Sequence, residues 1–238
     1  MRAVISVLGK EFRSYLGSPA GFVFLTAFLA LSSWLFFRLF FLLGQASMRP
    51  FFAVMPWLFL FFVPAAAMRM WAEERKLGTD EILLTLPATE GSLVVGKFLA
   101  GLAFLALAIA LTFPVPIVVS LVGNPDPGPL IGGYLGLVLL GAAYLSIGLF
   151  ASSITENQIV AFIVATALCF ALLIVGEDVV LVAVPARLAP VLRYLGLQQH
   201  FASIARGVID TRDLVYYGSV IALFLSLNAR AVESRKWR

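Results

Sequence analysis

Successive stretches of about 20 apolar residues constrain this chain most, because a helix needs that length to cross a hydrocarbon core of roughly 30 Å. They run near 21–43, 51–68, 97–121, 130–152, 158–177 and 213–229, each separated from the next by charge, Gly, Pro or Asn. Inside lipid every backbone amide must find its partner within the chain, which leaves helices or closed barrels, and these runs are too long for barrel strands. With 61% hydrophobic and only 13% charged residues, the sequence cannot clothe a globular domain in a water-soluble surface. The expected fold is an all-α integral membrane protein with six transmembrane helices, residues 1–238 forming a single membrane domain.

Residues 2–16 place Val4, Leu8, Phe12 and Tyr15 at helical spacing, with Arg2, Ser6, Lys10, Arg13 and Ser14 around the rest of the helix. This predicts an interfacial amphipathic helix over 1–18, in which Lys10, Phe12 and Arg13 are candidate contact residues. The apolar run that follows is too long for a signal-peptide core and no small-residue cleavage site closes it. Orientation follows from Lys and Arg placement. With the N-terminus inside, the inner face holds Arg2, Lys10, Arg13, Arg69, Arg75, Lys76, Lys97, Arg230, Arg235, Lys236 and Arg238, and the outer face holds Arg49, Arg187, Arg193, Arg206 and Arg212. Eleven against five favours both termini in the cytoplasm.

The outer stretch from about 178 to 212 is too apolar for a solvated loop, yet Pro185, Pro190 and Gly196 break it into pieces too short to span. Such pieces suggest a segment that dips into the outer leaflet and returns, with its freed backbone groups buried by protein. His200 lies beside it, where an interfacial hydrogen-bonding role is expected.

Several energy sources and chemistries are disfavoured. A carrier coupled to protons or sodium normally needs ionisable groups at membrane depth. Away from the end residues Lys97, Glu177 and Asp213, Arg38 is the sole charge inside the predicted spans, and at ~1.5 Å per residue it lies near the outer interface, within snorkelling reach. Gly91–Phe98 nearly spells a phosphate-binding loop, but Phe98 stands where a hydroxyl should meet magnesium, no strand precedes it and a span follows. The single Cys169 admits no internal disulfide, and neither H-E-x-x-H nor G-x-S-x-G occurs, so no catalytic residue and no metal site is assigned.

The most informative stretch is 69–97. A charged cluster, Glu73, Glu74, Arg75 and Lys76, is followed by Gly78, then Thr79, Asp80 and Glu81, then apolar 82–86, then Pro87. Gly78 suits the left-handed residue ending one helix, Thr79 can cap a second short helix, and Thr89 with Glu90 can start the next span. A short helix at a corner between spans 2 and 3 is a rigid knob through which a soluble partner could push on the bundle.

At Glu73, Glu74, Arg75, Lys76, Gly78, Thr79, Glu81, Leu83, Leu84 and Pro87, with Gly96 and Lys97 beyond, the chain resembles the permease subunits of type-2 (ABC-2) ABC transporters. It looks closest to the permeases of gliding motility and of nitrous-oxide-reductase maturation. A late stretch including His200, Phe201, Ile204, Arg206, Gly207, Asp210, Asp213 and Tyr216 is similar to the family's wording before its last span, and the outer-segment candidates His200, Phe201, Arg206 and Gly207 come from it.

The resemblance implies an ATP-driven exporter of the bacterial cytoplasmic membrane. Glu73, Glu74, Arg75, Lys76, Gly78, Thr79, Glu81, Leu84 and Pro87 would belong to the region coupling it to a cytoplasmic ABC ATPase. ATP and Mg would sit on that partner, so this chain itself binds no cofactor. Two permeases and two ATPases would form the working unit in the lipid bilayer, with room for an accessory outer-side protein and no role for nucleic acid. Two other readings stay open here: a non-transporting subunit relaying ATPase motion to an outer partner, and a secondary transporter.

Overall fold

The computed structural model describes residues 2–79 and 89–234. Among these residues the chain is helical, with no strand. Asp80, Glu81, Leu83, Leu84 and Pro87 of the corner segment lie outside the described residues, as do Arg235, Lys236 and Arg238 of the tail.

Helix α1, Arg2–Gly17, ends at Ser18, whose hydroxyl accepts the Gly21 N–H and caps α2, Pro19–Leu43. Helix α3, Arg49–Ala67, carries Pro56 and Pro64 in its interior and gives way at Met68 to α4, Arg69–Lys76. The two prolines loosen α3 ahead of the joint, since each removes a ladder bond and crowds the preceding turn. Beyond the corner segment, Thr89 caps α5, Glu90–Ala110, through the Ser92 N–H. A break at Thr112 leads into α6, Pro114–Val122.

Helix α7, Pro127–Ser153, is capped by Asp126, and α8, Gln158–Ile174, by Asn157. Three short helices follow, α9 Asp178–Leu181, α10 Ala189–Leu195 and α11 Leu197–Ala205. Asp210 then caps α12, Thr211–Glu233.

Among the described residues, five helical stretches are long and apolar enough to cross a membrane: Pro19–Leu43, Arg49–Lys76, Glu90–Val122, Pro127–Ser153 and Thr211–Glu233. They match five of the six predicted spans. The sixth, α8, is apolar but 17 residues long, shorter than the others. The stretch Glu90–Val122 is 33 residues, about 50 Å if straight, which exceeds the bilayer; Pro114 and Pro116 mark where it turns.

Helix α7 sits at the centre and packs against α3, α5, α8, α11 and α12. Its sequence explains this, since Gly133, Gly141 and Gly148 let neighbours approach where a side chain would collide with Phe52, Leu105 and Ala67 in turn. Without a hydrophobic driving force between helices in lipid, such close backbone packing is what holds spans together. The aromatic residues pack around this axis, Phe28, Phe36, Phe51, Phe52, Phe59 and Phe104 all being fully buried.

Candidate functional site

Four charged side chains, Lys10, Glu11, Glu74 and Lys97, meet where α1, α4 and the start of α5 come together. Lys97 is the centre. Thr89 starts α5 early enough that Lys97 falls about two turns inside the helix, not at its mouth as the predicted boundary at residue 97 had it. Its side chain is 1% exposed, and its ammonium reaches Glu11 Oε1 at 2.9 Å, Glu74 Oε2 at 2.8 Å and the Met70 carbonyl at 2.7 Å. The same ammonium stands 4.8 Å from the centre of the Trp71 ring. Hydrogen bonds to Glu11 and the Met70 carbonyl, with the ion pair to Glu74 beside them, compensate the buried charge.

Lys10 closes the cluster from α1, 3.2 Å from Glu74 Oε1 and 3.6 Å from Glu11 Oε1. Burial alone would lower its pKa, but the Glu74 and Glu11 carboxylates outweigh this and hold it above the ordinary lysine value. Two lysines thus balance two glutamates, and three helices are joined at one point. Gly96 makes the meeting of α1 and α5 feasible: a Cβ there would lie 2.8 Å from Val7 Cβ.

Helix α4 is fixed on its other side by α7. The Ser152 hydroxyl accepts the Trp71 and Ala72 N–H groups at 3.0 and 3.1 Å and donates to the Met68 carbonyl at 2.7 Å. One side chain therefore serves both partners of the broken backbone ladder at the α3–α4 joint. Arg75 donates to the Ser153 carbonyl at 3.1 Å and to Glu156 at 3.2 Å, tying the end of α4 to the α7–α8 connection.

The predicted site residues consequently divide. Glu74 and Arg75 are turned inward, spent on contacts within the chain, whereas Glu73, Lys76, Gly78 and Thr79 are exposed, as is Leu77 beside them. Gly78 takes the left-handed conformation expected of it, with φ +69°. The Thr79 hydroxyl donates back to the Glu74 carbonyl at 3.2 Å. On α1, Phe12 packs on the core while Arg13 faces outward. Two clefts flank α4: one of about 170 Å³ between α1 and α4, bordered by Lys10, Glu73 and Leu77, and one of about 490 Å³ bordered by Lys76, Glu156 and Asn157.

Sequence reasoning missed the role of Lys97 and did not single out Glu11 or Ser152. A signal for Lys97 was present, since a lysine two turns inside an otherwise apolar helix must find a carboxylate or a carbonyl.

The candidate residues on the opposite end form a second cluster. His200 Nε2 lies 2.8 Å from the Tyr194 carbonyl and Nδ1 lies 2.7 Å from Asp213 Oδ1. A carbonyl only accepts, so Nε2 donates to Tyr194, and Nδ1 faces the Asp213 carboxyl. The imidazole stacks on Tyr216 at 3.9 Å, and the Tyr217 hydroxyl donates to the Leu197 carbonyl. Phe201 is buried against Gly136 of α7, while Arg206 is exposed. Gly207 has φ +89° and approaches Gly128 so closely that a Cβ would lie 2.8 Å from its carbonyl carbon. Among the described residues no group of acidic, histidine and cysteine side chains is arranged to hold a metal ion.

These features define a multi-span α-helical membrane protein with a buried cluster of lysines and glutamates at one end of the bundle. A family model described as ABC-2 family transporter protein matches residues 43–229, well over half of the chain. The chain belongs to this ABC-2 transporter family, as the corner wording suggested; α1 and almost all of α2 precede the matched residues. Its members are membrane subunits of ABC transporters. Among curated proteins, no relative matches the chain.

Proposed function

We propose that this chain is the permease subunit of an ATP-driven exporter, and that a separate cytoplasmic ATPase docks on the exposed end of α4 and the segment after it. The observation that supports this best is the anchoring of α4. Its tip is exposed while its root is bound to α1 and α5 through Lys97 and to α7 through Ser152, so a push on the tip is delivered to the bundle's central helix.

In this reading Glu73, Lys76, Gly78 and Thr79 touch the partner, continued by Glu81, Leu84 and Pro87. Glu74 and Arg75 instead hold the lever in place, and Lys10, Phe12 and Arg13 of α1 border the docking face. ATP and Mg sit on the ATPase. The chain pairs with a second copy or a similar permease about a two-fold axis, and ATPase closure switches the path between them. Helix α8 serves as the sixth span, both termini face the cytoplasm of a bacterial inner membrane, and residues 178–212 dip into the outer leaflet.

The test is crosslinking. Cysteines placed at Glu73 and Leu77 should join to a soluble nucleotide-binding chain in membranes of the native host, and Glu73→Lys should reduce recovery of that chain without changing permease yield. Recovery of the permease alone, with no crosslink from either position, would refute the docking assignment.

A further inference from the structure

On the lipid-facing side of the α1–α2 turn, a groove of about 490 Å³ runs between α2, α3 and α8. Its length is apolar, walled by Phe24, Ala27, Phe61, Phe62 and Phe162, and it opens sideways, Phe61 being 55% exposed. Its polar groups gather at one end, where α1, α4 and the start of α8 meet: Arg69 and Gln158.

Arg69 is the unusual member. Its guanidinium donates to Ser18 Oγ at 3.1 Å and lies 5.3 Å from the Tyr15 ring centre. No carboxylate among the described residues is within ion-pair distance of it. Glu73 shares the neighbouring cleft but is not paired with it, and Glu11 and Glu74 are already bound by Lys97 and Lys10. A half-buried cation with donors to spare thus stands at the mouth of an apolar groove that opens sideways.

We propose that this groove binds an anionic phospholipid from the leaflet on the α1 side, the acyl chain lying along Phe24, Phe61 and Phe162 and the phosphate on Arg69. The ligand's own gradient from apolar tail to anionic head matches the groove's, and the volume falls within the range of small-molecule sites. A guanidinium favours a phosphate geometrically as well as by charge, because its parallel N–H groups can meet two oxygens. The site is independent of any ATPase docking, since it lies on the lipid-facing side of Arg69.

The experiment is native mass spectrometry of the purified full chain, titrated with phosphatidylglycerol or with phosphatidylcholine of identical acyl chains. Phosphatidylglycerol should bind about fivefold more tightly, the factor expected for one basic residue at a membrane surface. Arg69→Gln should abolish that preference and Arg69→Lys should restore part of it. Ala27→Phe leaves the cation in place but fills the groove, and should reduce occupancy by both lipids; it keeps the test decisive if Arg69→Gln fails to fold. Equal binding of the two lipids, or undiminished binding to Ala27→Phe, would overturn the proposal. So would displacement of the lipid by glycerol phosphate alone, which would mark a headgroup site, or protection of a Val23→Cys label by a second copy, which would mark a protein interface.

Discussion

Replacing Lys97 with methionine keeps the length and apolar stem of the side chain while removing its charge and its three donors. The structure gives the consequence directly. Contacts of 2.7, 2.8 and 2.9 Å disappear together, the Met70 carbonyl loses its partner, and Glu11 and Glu74 face each other with Lys10 alone to balance them. Removing one member of a buried ion pair typically costs ~3–5 kcal/mol, because the remaining charge is left desolvated. At ~2–4 °C per kcal/mol for a chain of this size, the melting temperature should fall by roughly 6–20 °C. The assay is thermal unfolding in mild detergent, followed by size-exclusion fluorescence or by intrinsic tryptophan emission, for which Trp71 beside the ammonium is a local reporter. Adding Glu74→Gln to Lys97→Met removes the uncompensated charge and should recover about 1–3 kcal/mol, the usual coupling between contacting residues. A Lys97→Met loss below about 1 kcal/mol, or strictly additive effects in the double mutant, would refute the view that the cluster holds α1, α4 and α5 together.

Ser152→Ala removes the acceptor for the Trp71 and Ala72 amides and should cost about 1–2 kcal/mol, seen as faster hydrogen exchange confined to α4. Gly148→Ala places a Cβ 2.6 Å from Ala67 Cβ, two groups that cannot swing aside, and should destabilise the fold by about 1–3 kcal/mol in the same thermal assay. His200→Phe strands the Asp213 carboxylate and the Tyr194 carbonyl and should cost about 3 kcal/mol, whereas Asp213→Asn, still able to accept from Nδ1, should cost less. Because the folded pKa of Lys10 lies above its ordinary value of 10.5, its stabilising share is complete below that pH and is lost as pH rises through the folded value. The stability gap between the native chain and Lys10→Gln should therefore narrow in strongly alkaline buffer, and a gap that widens there would contradict the assignment.

Where a feature rests on local chemistry, the sequence reveals it. Thr89 caps the helix it precedes as expected, and Ser18, Asp126, Asn157 and Asp210, not singled out in the sequence, do the same, because a short polar side chain next to free amides needs nothing from the rest of the fold. Gly78 is equally local, and five of the six apolar runs need only their own length. The cluster around Lys97 is different in kind. Its members are separated by 86 residues between Lys97 and Glu11 and 64 between Lys10 and Glu74, so neither spacing nor composition pairs them. Adjacent Glu73 and Glu74 look equivalent in the sequence, yet one faces solvent and the other a lysine, a distinction made by the rotation of α4 once Ser152 has seated it. His200 announces itself as the single histidine, but its partner Asp213 is reached only when α11 folds back on α12.

The long separation within the lysine cluster also orders the making of the protein. Glu11 leaves the ribosome 86 residues ahead of the lysine it will bind, an interval of roughly 4–17 s at ordinary translation rates. Throughout that interval α1 lacks its principal seat, since α5, against which it packs most extensively, is the last of its partners to be synthesised. The amphipathic first helix must therefore wait on the membrane surface, held by its own apolar face, until the third long apolar stretch arrives and fastens it.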